Sequence, residues 1–344
     1  MSEVAVDPTP VPVDAPLLDV HDLVVHYPVK RDLAAALHRE PHKQVVAVDG
    51  VSLSVQHGEM LALIGESGCG KTSTAQAILR MIDPTSGSIQ VGGRDITHLR
   101  SNDLRPIRKT MQMVYQDPYE SLDPRFRVRR AIEEPLLIHD MAGPADERER
   151  AIVDALERVE LVPADLFMKR YPHELSGGQR QRVAIAASLV LGPKLLLADE
   201  PVSMLDVSVR AGILSLLDRL RREGDMGIVM ITHDLSTAAH FADRIAVMYL
   251  GRIVEEGPAR EVVGNPQHPY TKALMSVVPK RDPRDRADQQ ILQGETPNPT
   301  DVPPGCRFHP RCPVAEDRCK VTDPMLHTAS GARSDAHTAA CVLV

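Results

Sequence analysis

The octapeptide Gly65–Thr72, GESGCGKT, constrains this chain more than any other stretch. It fits the pattern G-x-x-x-x-G-K-[ST], a loop whose glycines let backbone N–H groups turn inward around phosphate oxygens. Such a loop works only at the end of a buried strand and at the positive end of a helix. Both flanks are present: GEMLALI precedes the loop and an apolar-periodic stretch, STAQAILRMI, follows it. Lys71 is expected to reach the β- and γ-phosphates of a nucleotide, and the Thr72 hydroxyl to ligate Mg²⁺. Gly65, Glu66, Ser67, Gly68, Cys69, Gly70 and Ser73 complete the predicted cradle. Cys69 reads as a small residue on a backbone-driven loop rather than a redox thiol.

The rest of the pattern suits an α/β chain. LLDVHDLVVHYPV and VVAVDGVSLSV read as strands, KLLLA at 194–198 and GIVMIT at 227–232 as short buried strands of a parallel sheet, and IAVMYLGRIVEEG as a hairpin turning at Leu250-Gly251. Residues 145–165 carry apolar residues at helical spacing. Residues 1–16 read as a disordered tail, the polar stretch 30–44 as a surface insertion or short helix, and a composition boundary falls near residue 262. The formal charge of −7 argues against a nucleic-acid partner. The N-terminus lacks the basic and apolar regions of a signal peptide, and the apolar run at 183–193 is far too short to span a bilayer, so a cytosolic chain is expected.

Downstream of the loop stand Gln116 in MVYQDP, LSGGQRQR from Leu175 to Arg182, LLLADEP with Asp199 and Glu200, SMLD ending at Asp206, and ITHD with His233. In that order these elements resemble the ATP-binding-cassette ATPases. The resemblance implies a P-loop NTPase fold with a RecA-like core sheet, an antiparallel β subdomain and an α-helical subdomain at about 117–190, the whole nucleotide-binding domain covering 17–262. It implies ATP and Mg²⁺, with Thr72, Gln116 and Asp199 at the metal. Adjacent carboxylates at a strand end can divide labour, Asp199 on the metal and Glu200 on the attacking water. His233 would contact the γ-phosphate and Glu200. Tyr27 matches the aromatic that stacks on adenine, with a core or edge-strand tyrosine as the lesser alternative. In this family two ATPases face head to tail, so Leu175, Ser176, Gly177, Gly178 and Gln179, with Asp206, would complete the site of a partner. Ser176 also reads simply as a helix cap. One departure is Ala187, where the family usually carries Arg.

Further stretches narrow the resemblance: VYQDPYESLDPR, RYPHELSGGQRQR, NPQHPYTKAL and PGCRFHPRCP look like the ATPases of dipeptide/oligopeptide importers, of the type called DppF or OppF. This implies an ATPase at the cytoplasmic face of a bacterial inner membrane, working with two permeases, a second ATPase that is often non-identical and an external peptide-binding protein. Relatives that import nickel or another small solute, or that serve a soluble complex like the phosphonate lyases, are the alternatives. Arg125, Arg127, Arg129 and Arg130 form either a solvated face or a contact with permease or lipid phosphate.

Four of the five cysteines, Cys306, Cys312, Cys319 and Cys341, lie in the 263–344 extension. In a cytosolic chain, clustered thiols suit a metal centre better than disulfides, and four thiolates suit zinc or an iron–sulfur cluster. The spacing lacks the knuckles usual for either. The resemblance implies a [4Fe–4S] cluster on these four. His309 and His337 nearby are expected at the surface rather than as ligands. The extension shows no large apolar core of its own, so a metal would staple it.

Overall fold

The structure, a computed structural model, describes residues 15–29, 44–277, 292 and 294–344. The expected tail at 1–14 and the polar stretch 30–43 lie outside the described residues.

Two sheets carry the fold. The strands β1 (Leu18–Pro28), β2 (Gln44–Val55), β4 (Ser86–Val91) and β5 (Arg94–Asp95) make an antiparallel sheet in the order β2-β1-β4-β5. The larger sheet is built on β3 (Met60–Ile64), β6 (Met111–Val114), β7 (Leu195–Asp199), β8 (Gly227–Thr232) and β9 (Arg244–Tyr249), all parallel, in the order β9-β3-β8-β7-β6. Every residue of β3, β7 and β8 is buried. That matches their continuous apolar runs, which a sheet covered on both faces requires. The antiparallel strand β10 (Arg252–Pro258) returns from β9 through Leu250-Gly251, as the sequence pattern predicts.

Helices fill the stretch between β6 and β7: Pro118–Ser121, Val128–Ile138, Ala145–Arg158, Ala164–Met168 and Gly177–Leu189. The helix expected over 145–165 stops at Arg158 and a second begins at Ala164. Pro163 lacks the N–H that a continuous helix would need and disfavours helical backbone at the residue before it. The arginines of 125–130 are mostly matched locally. Arg125 pairs with Asp123, Arg129 with Glu133 and Glu149, and Arg130 with Glu133, while Arg127 lies over the Tyr171 ring.

The C-terminal extension is continuous with this body. The helix Pro269–Ser276 follows HPYT's His268, whose Nδ1 accepts from the Tyr270 N–H and caps it. Two short strands, β11 (His327–Thr328) and β12 (Thr338–Ala339), prolong the large sheet, with β12 paired to β10. Phe308, 1% exposed, packs among Tyr249, Tyr270 and His268. Burying such a ring contributes about 2–3 kcal/mol. The extension therefore shares the main apolar core rather than relying on a metal for all of its cohesion. His337, expected at the surface, is fully buried: pairing of β12 on β10 carries its ring against Glu255, with Nε2 and Oε1 2.7 Å apart. Among the described residues, no helix is long and apolar enough to cross a membrane.

Candidate active site

The loop Gly65–Gly70 leaves the buried end of β3 and enters the helix Lys71–Ile78. Its last glycine, Gly70, caps that helix at φ 108°, and a Cβ there would sit 2.1 Å from the Ala47 carbonyl oxygen. Left-handed backbone and close approach together leave room only for glycine. Lys71 is buried, and its ammonium donates to the carbonyls of Gly65 at 2.8 Å and Glu66 at 2.9 Å, across the mouth of the loop. Cys69 is buried, which pushes its thiol pKa up and suits the small-residue reading.

An open cavity of about 510 Å³ lies over this loop. Of the residues singled out in the sequence, Tyr27, Ser67, Gly68, Gly70, Lys71, Thr72, Ser73, Gln116, Asp199, Glu200 and His233 line it. Tyr27 on β1 donates its hydroxyl to Ser73 at 3.3 Å, leaving its ring beside Val45 and Ala47 at one end. At the other end the carboxylates gather. The Thr72 hydroxyl donates to Asp199 Oδ2 at 2.9 Å. Burial first, then the charge of Glu200, raises the Asp199 carboxyl above its usual range, against the lowering effect of Thr72 and Lys71. A hydroxyl and a carboxylate so placed form an oxygen pair suited to Mg²⁺. Glu200 stands just beyond β7 at φ 44°, a backbone region that non-glycine residues rarely occupy. The Gln116 amide donates to Glu200 Oε2 at 3.2 Å, and His233 Nδ1 lies 3.1 Å from its Oε1.

Leu175, Ser176, Gly177, Gly178 and Gln179 do not line this cavity. Ser176 caps the helix Gly177–Leu189, its hydroxyl accepting from the Gln179 N–H, and the Gln179 side-chain oxygen accepts in turn from the Ser176 N–H. Asp206 likewise caps the helix Val207–Gly224 rather than facing the cavity. The two caps adjoin: a Cβ on Gly178 would lie 2.5 Å from Val209.

Glu66 also turns away from the cavity. Its carboxylate accepts from Arg311 at 2.8 and 3.2 Å and from the Thr296 hydroxyl at 2.6 Å, while its N–H donates to the Tyr270 hydroxyl at 3.0 Å. Burial raises the Glu66 carboxyl, but the bonds from Arg311 and Thr296 and the charges of Arg311 and Lys71 outweigh it and hold the group below its usual pKa. Pro299, from the same extension, lines the cavity beside Tyr27, and its carbonyl accepts from the Val46 N–H at 3.0 Å. Motif reading has no access to these residues, because no spacing rule links them to the loop. HPYT and PGCRFHPRCP stood out in the sequence, and their Tyr270 and Arg311 both reach Glu66 of the loop.

The family model for ABC transporters matches residues 48–203, and that for the C-terminal region of oligopeptide/dipeptide transporters matches 254–319. This chain belongs to the ATP-binding subunits of the oligopeptide/dipeptide ABC transporter family. It is 44% identical to the oligopeptide transport ATP-binding protein OppF of Salmonella typhimurium, over 90% of this chain and 92% of that one. It is 44% identical to the dipeptide transport ATP-binding protein DppF of Escherichia coli, over 92% of both chains. Among solved structures, a dimeric ATP-binding cassette in a post-hydrolysis state bound to ADP and Pi is 28% identical, with a TM-score of 0.60 over 71% of this chain and 99% of that one. As an ABC subunit the chain is a P-loop ATPase, and ATP with Mg²⁺ is consistent with its cavity.

Cys306, Cys312, Cys319 and Cys341 are free thiols. Cys306 N–H donates to the Cys319 carbonyl at 2.9 Å. Burial first, then the charges of Cys341, Cys319 and Cys312, pushes the Cys306 thiol up to about 11. Among the described residues, however, no group of three or more His, Cys, Asp or Glu side chains closes around an ion position.

Proposed function

We propose that this ABC subunit hydrolyses ATP to power uptake of di- and oligopeptides through an inner-membrane importer. The observation that carries the ATPase chemistry is the convergence of Gln116, His233 and the strained Glu200 on one point of the cavity, beside the Thr72–Asp199 pair. Glu200 would take a proton from the attacking water, with Gln116 and His233 fixing its two oxygens. Lys71 would leave the loop carbonyls for the phosphates, and Tyr27 would stack on the base. Thr72, Asp199 and Gln116 would hold Mg²⁺, which neutralises phosphate charge. Leu175–Gln179 and Asp206 would serve the second subunit's nucleotide. In support, these residues lie outside their own cavity, and Ser176 opens a thirteen-residue helix whose N–H groups suit an anion.

Peptide as cargo, two permeases, a second ATPase, an external binding protein and a peripheral place at the cytoplasmic face rest on the relatives, which carry peptide-transport names. The test is co-expression with the neighbouring transporter genes. Co-purification with two polytopic membrane proteins, and ATPase activity stimulated by peptide-loaded binding protein, are expected. Stimulation by nickel instead, or assembly with soluble enzymes alone, would overturn the peptide reading.

For the extension we retain a [4Fe–4S] cluster on Cys306, Cys312, Cys319 and Cys341, with Zn²⁺ as the other occupant. The donor set of four free thiols fits thiolate ligation, whereas the described arrangement does not close around an ion position. Iron with acid-labile sulfide in anaerobically purified protein is expected. Stoichiometric zinc without sulfide would overturn the cluster.

A further inference from the structure

The C-terminal extension reaches the phosphate loop, the turn behind it and the cavity over it. Arg311 grips Glu66, the second residue of the phosphate loop, through both terminal nitrogens, and its side chain is only 8% exposed. Thr296 closes the same carboxylate from another side, and Arg311 also donates to the Thr296 hydroxyl at 3.3 Å. Arg307 donates to the Leu250 carbonyl at 2.6 Å and pairs with Asp49, while the next residue, Gly251, donates its N–H to the Cys69 carbonyl of the loop at 2.8 Å. Pro299 walls the end of the cavity where Tyr27 stands.

We infer that Arg311 is a positioning residue of the ATPase: by clamping Glu66 from the extension, it holds the phosphate loop in its nucleotide-binding shape and so sets affinity for ATP. Glu66 offers its carboxylate to Arg311, outside the cavity lining, and its backbone carbonyl to the Lys71 ammonium. A bidentate guanidinium–carboxylate pair fixes orientation as well as distance, which a single contact does not. Any slack at Glu66 is passed directly to the carbonyls that hold Lys71. A purely structural tie between extension and body would lower stability without changing nucleotide affinity in the folded fraction.

This inference rests on reading the loop as an ATP site, so wild-type protein is measured first. Binding of MgATP and MgADP and steady-state ATPase kinetics are compared for the full chain and for Arg311→Gln, Arg311→Lys, Glu66→Gln and the Arg311→Gln/Glu66→Gln double variant. Arg311→Gln is expected to raise KM and the nucleotide Kd about tenfold with kcat within about twofold, and the double variant to be no worse than the weaker single one. Arg311→Lys should recover only part of the affinity, since an ammonium lacks the fork. If Arg311→Gln does not fold, Thr296→Val, which removes one hydroxyl from Glu66, should show a smaller rise of the same sign. Unchanged KM and Kd in the folded variants, or effects that simply add in the double variant, would overturn the clamp alone. Wild-type protein that binds no MgATP would overturn the ATP-site reading and the clamp with it.

Discussion

His233 Nδ1 lies 3.1 Å from Glu200 Oε1, joining the ends of β8 and β7 above the phosphate loop. Gln116 holds the other oxygen at 3.2 Å. The carboxylate thus has both oxygens oriented while remaining in the cavity. Glu200→Gln should lower ATP turnover by about 10²–10⁴-fold, the contribution typical of a general base, with MgATP binding retained. Single-turnover hydrolysis and equilibrium binding check this, and normal hydrolysis by the variant would rule out the base assignment.

Asp199 gives a prediction with a definite pH sign. Its folded-state pKa is raised, chiefly by burial. The stability associated with its protonated form is present below the ordinary carboxylate pKa and is lost as pH rises through the raised value. At neutral pH, without a cation, the group therefore destabilises the fold. Asp199→Asn should raise the metal-free melting temperature by about 2–4 °C and remove the Mg²⁺-dependent part of nucleotide stabilisation. Thermal melts with and without MgATP, at neutral pH, read both effects.

Tyr27 presents its ring to the cavity and ties its hydroxyl to Ser73 at 3.3 Å. If the face of the ring is what matters, Tyr27→Phe should bind ATP nearly as wild type does. Tyr27→Ala should lose about 1–3 kcal/mol, the worth of one stacked base. Equal losses in both variants would instead point to the hydroxyl.

His268 bears on acid stability. Burial, aided by the charge of Lys272, pushes its imidazole pKa from 6.5 down to about 3. A depressed folded-state pKa means that its contribution is present above about 6.5 and is lost as pH falls toward 3. Asn can cap the same helix without titrating. His268→Asn should therefore flatten the fall in urea midpoint between about pH 7 and pH 5 relative to wild type. Parallel slopes would count against His268 as the source.

Contiguous features were readable because they obey local rules. The phosphate loop needs a strand before it and a helix after it, β7 and β8 need unbroken apolar runs, and the hairpin needs a turn at Leu250-Gly251. The pairing of Asp199 with Thr72 follows once β3 and β7 are both in a parallel sheet with their C-terminal ends together. What escaped reading joins distant segments through single side chains. Arg311 and Glu66 are 245 positions apart in sequence, and nothing in GCRFHPRCP marks Arg311, rather than Arg307, for a partner in GESGCGKT. His337 was misread because its burial depends on β12 docking on β10, a two-residue pairing too short to leave a pattern. Pro163 overrode a helical periodicity that extended past it.

The pairing of β12 with β10 has a consequence for the order of synthesis. A ribosome releases Arg252–Pro258 well before Thr338–Ala339, so the sheet edge at β10 waits uncovered until those later residues have been made. Arg307 and Arg311 arrive in the same late stretch. A nascent or prematurely terminated chain has its phosphate loop but neither of these arginines to brace it. If Arg311 clamps the loop as inferred, that brace is deferred until the extension has emerged.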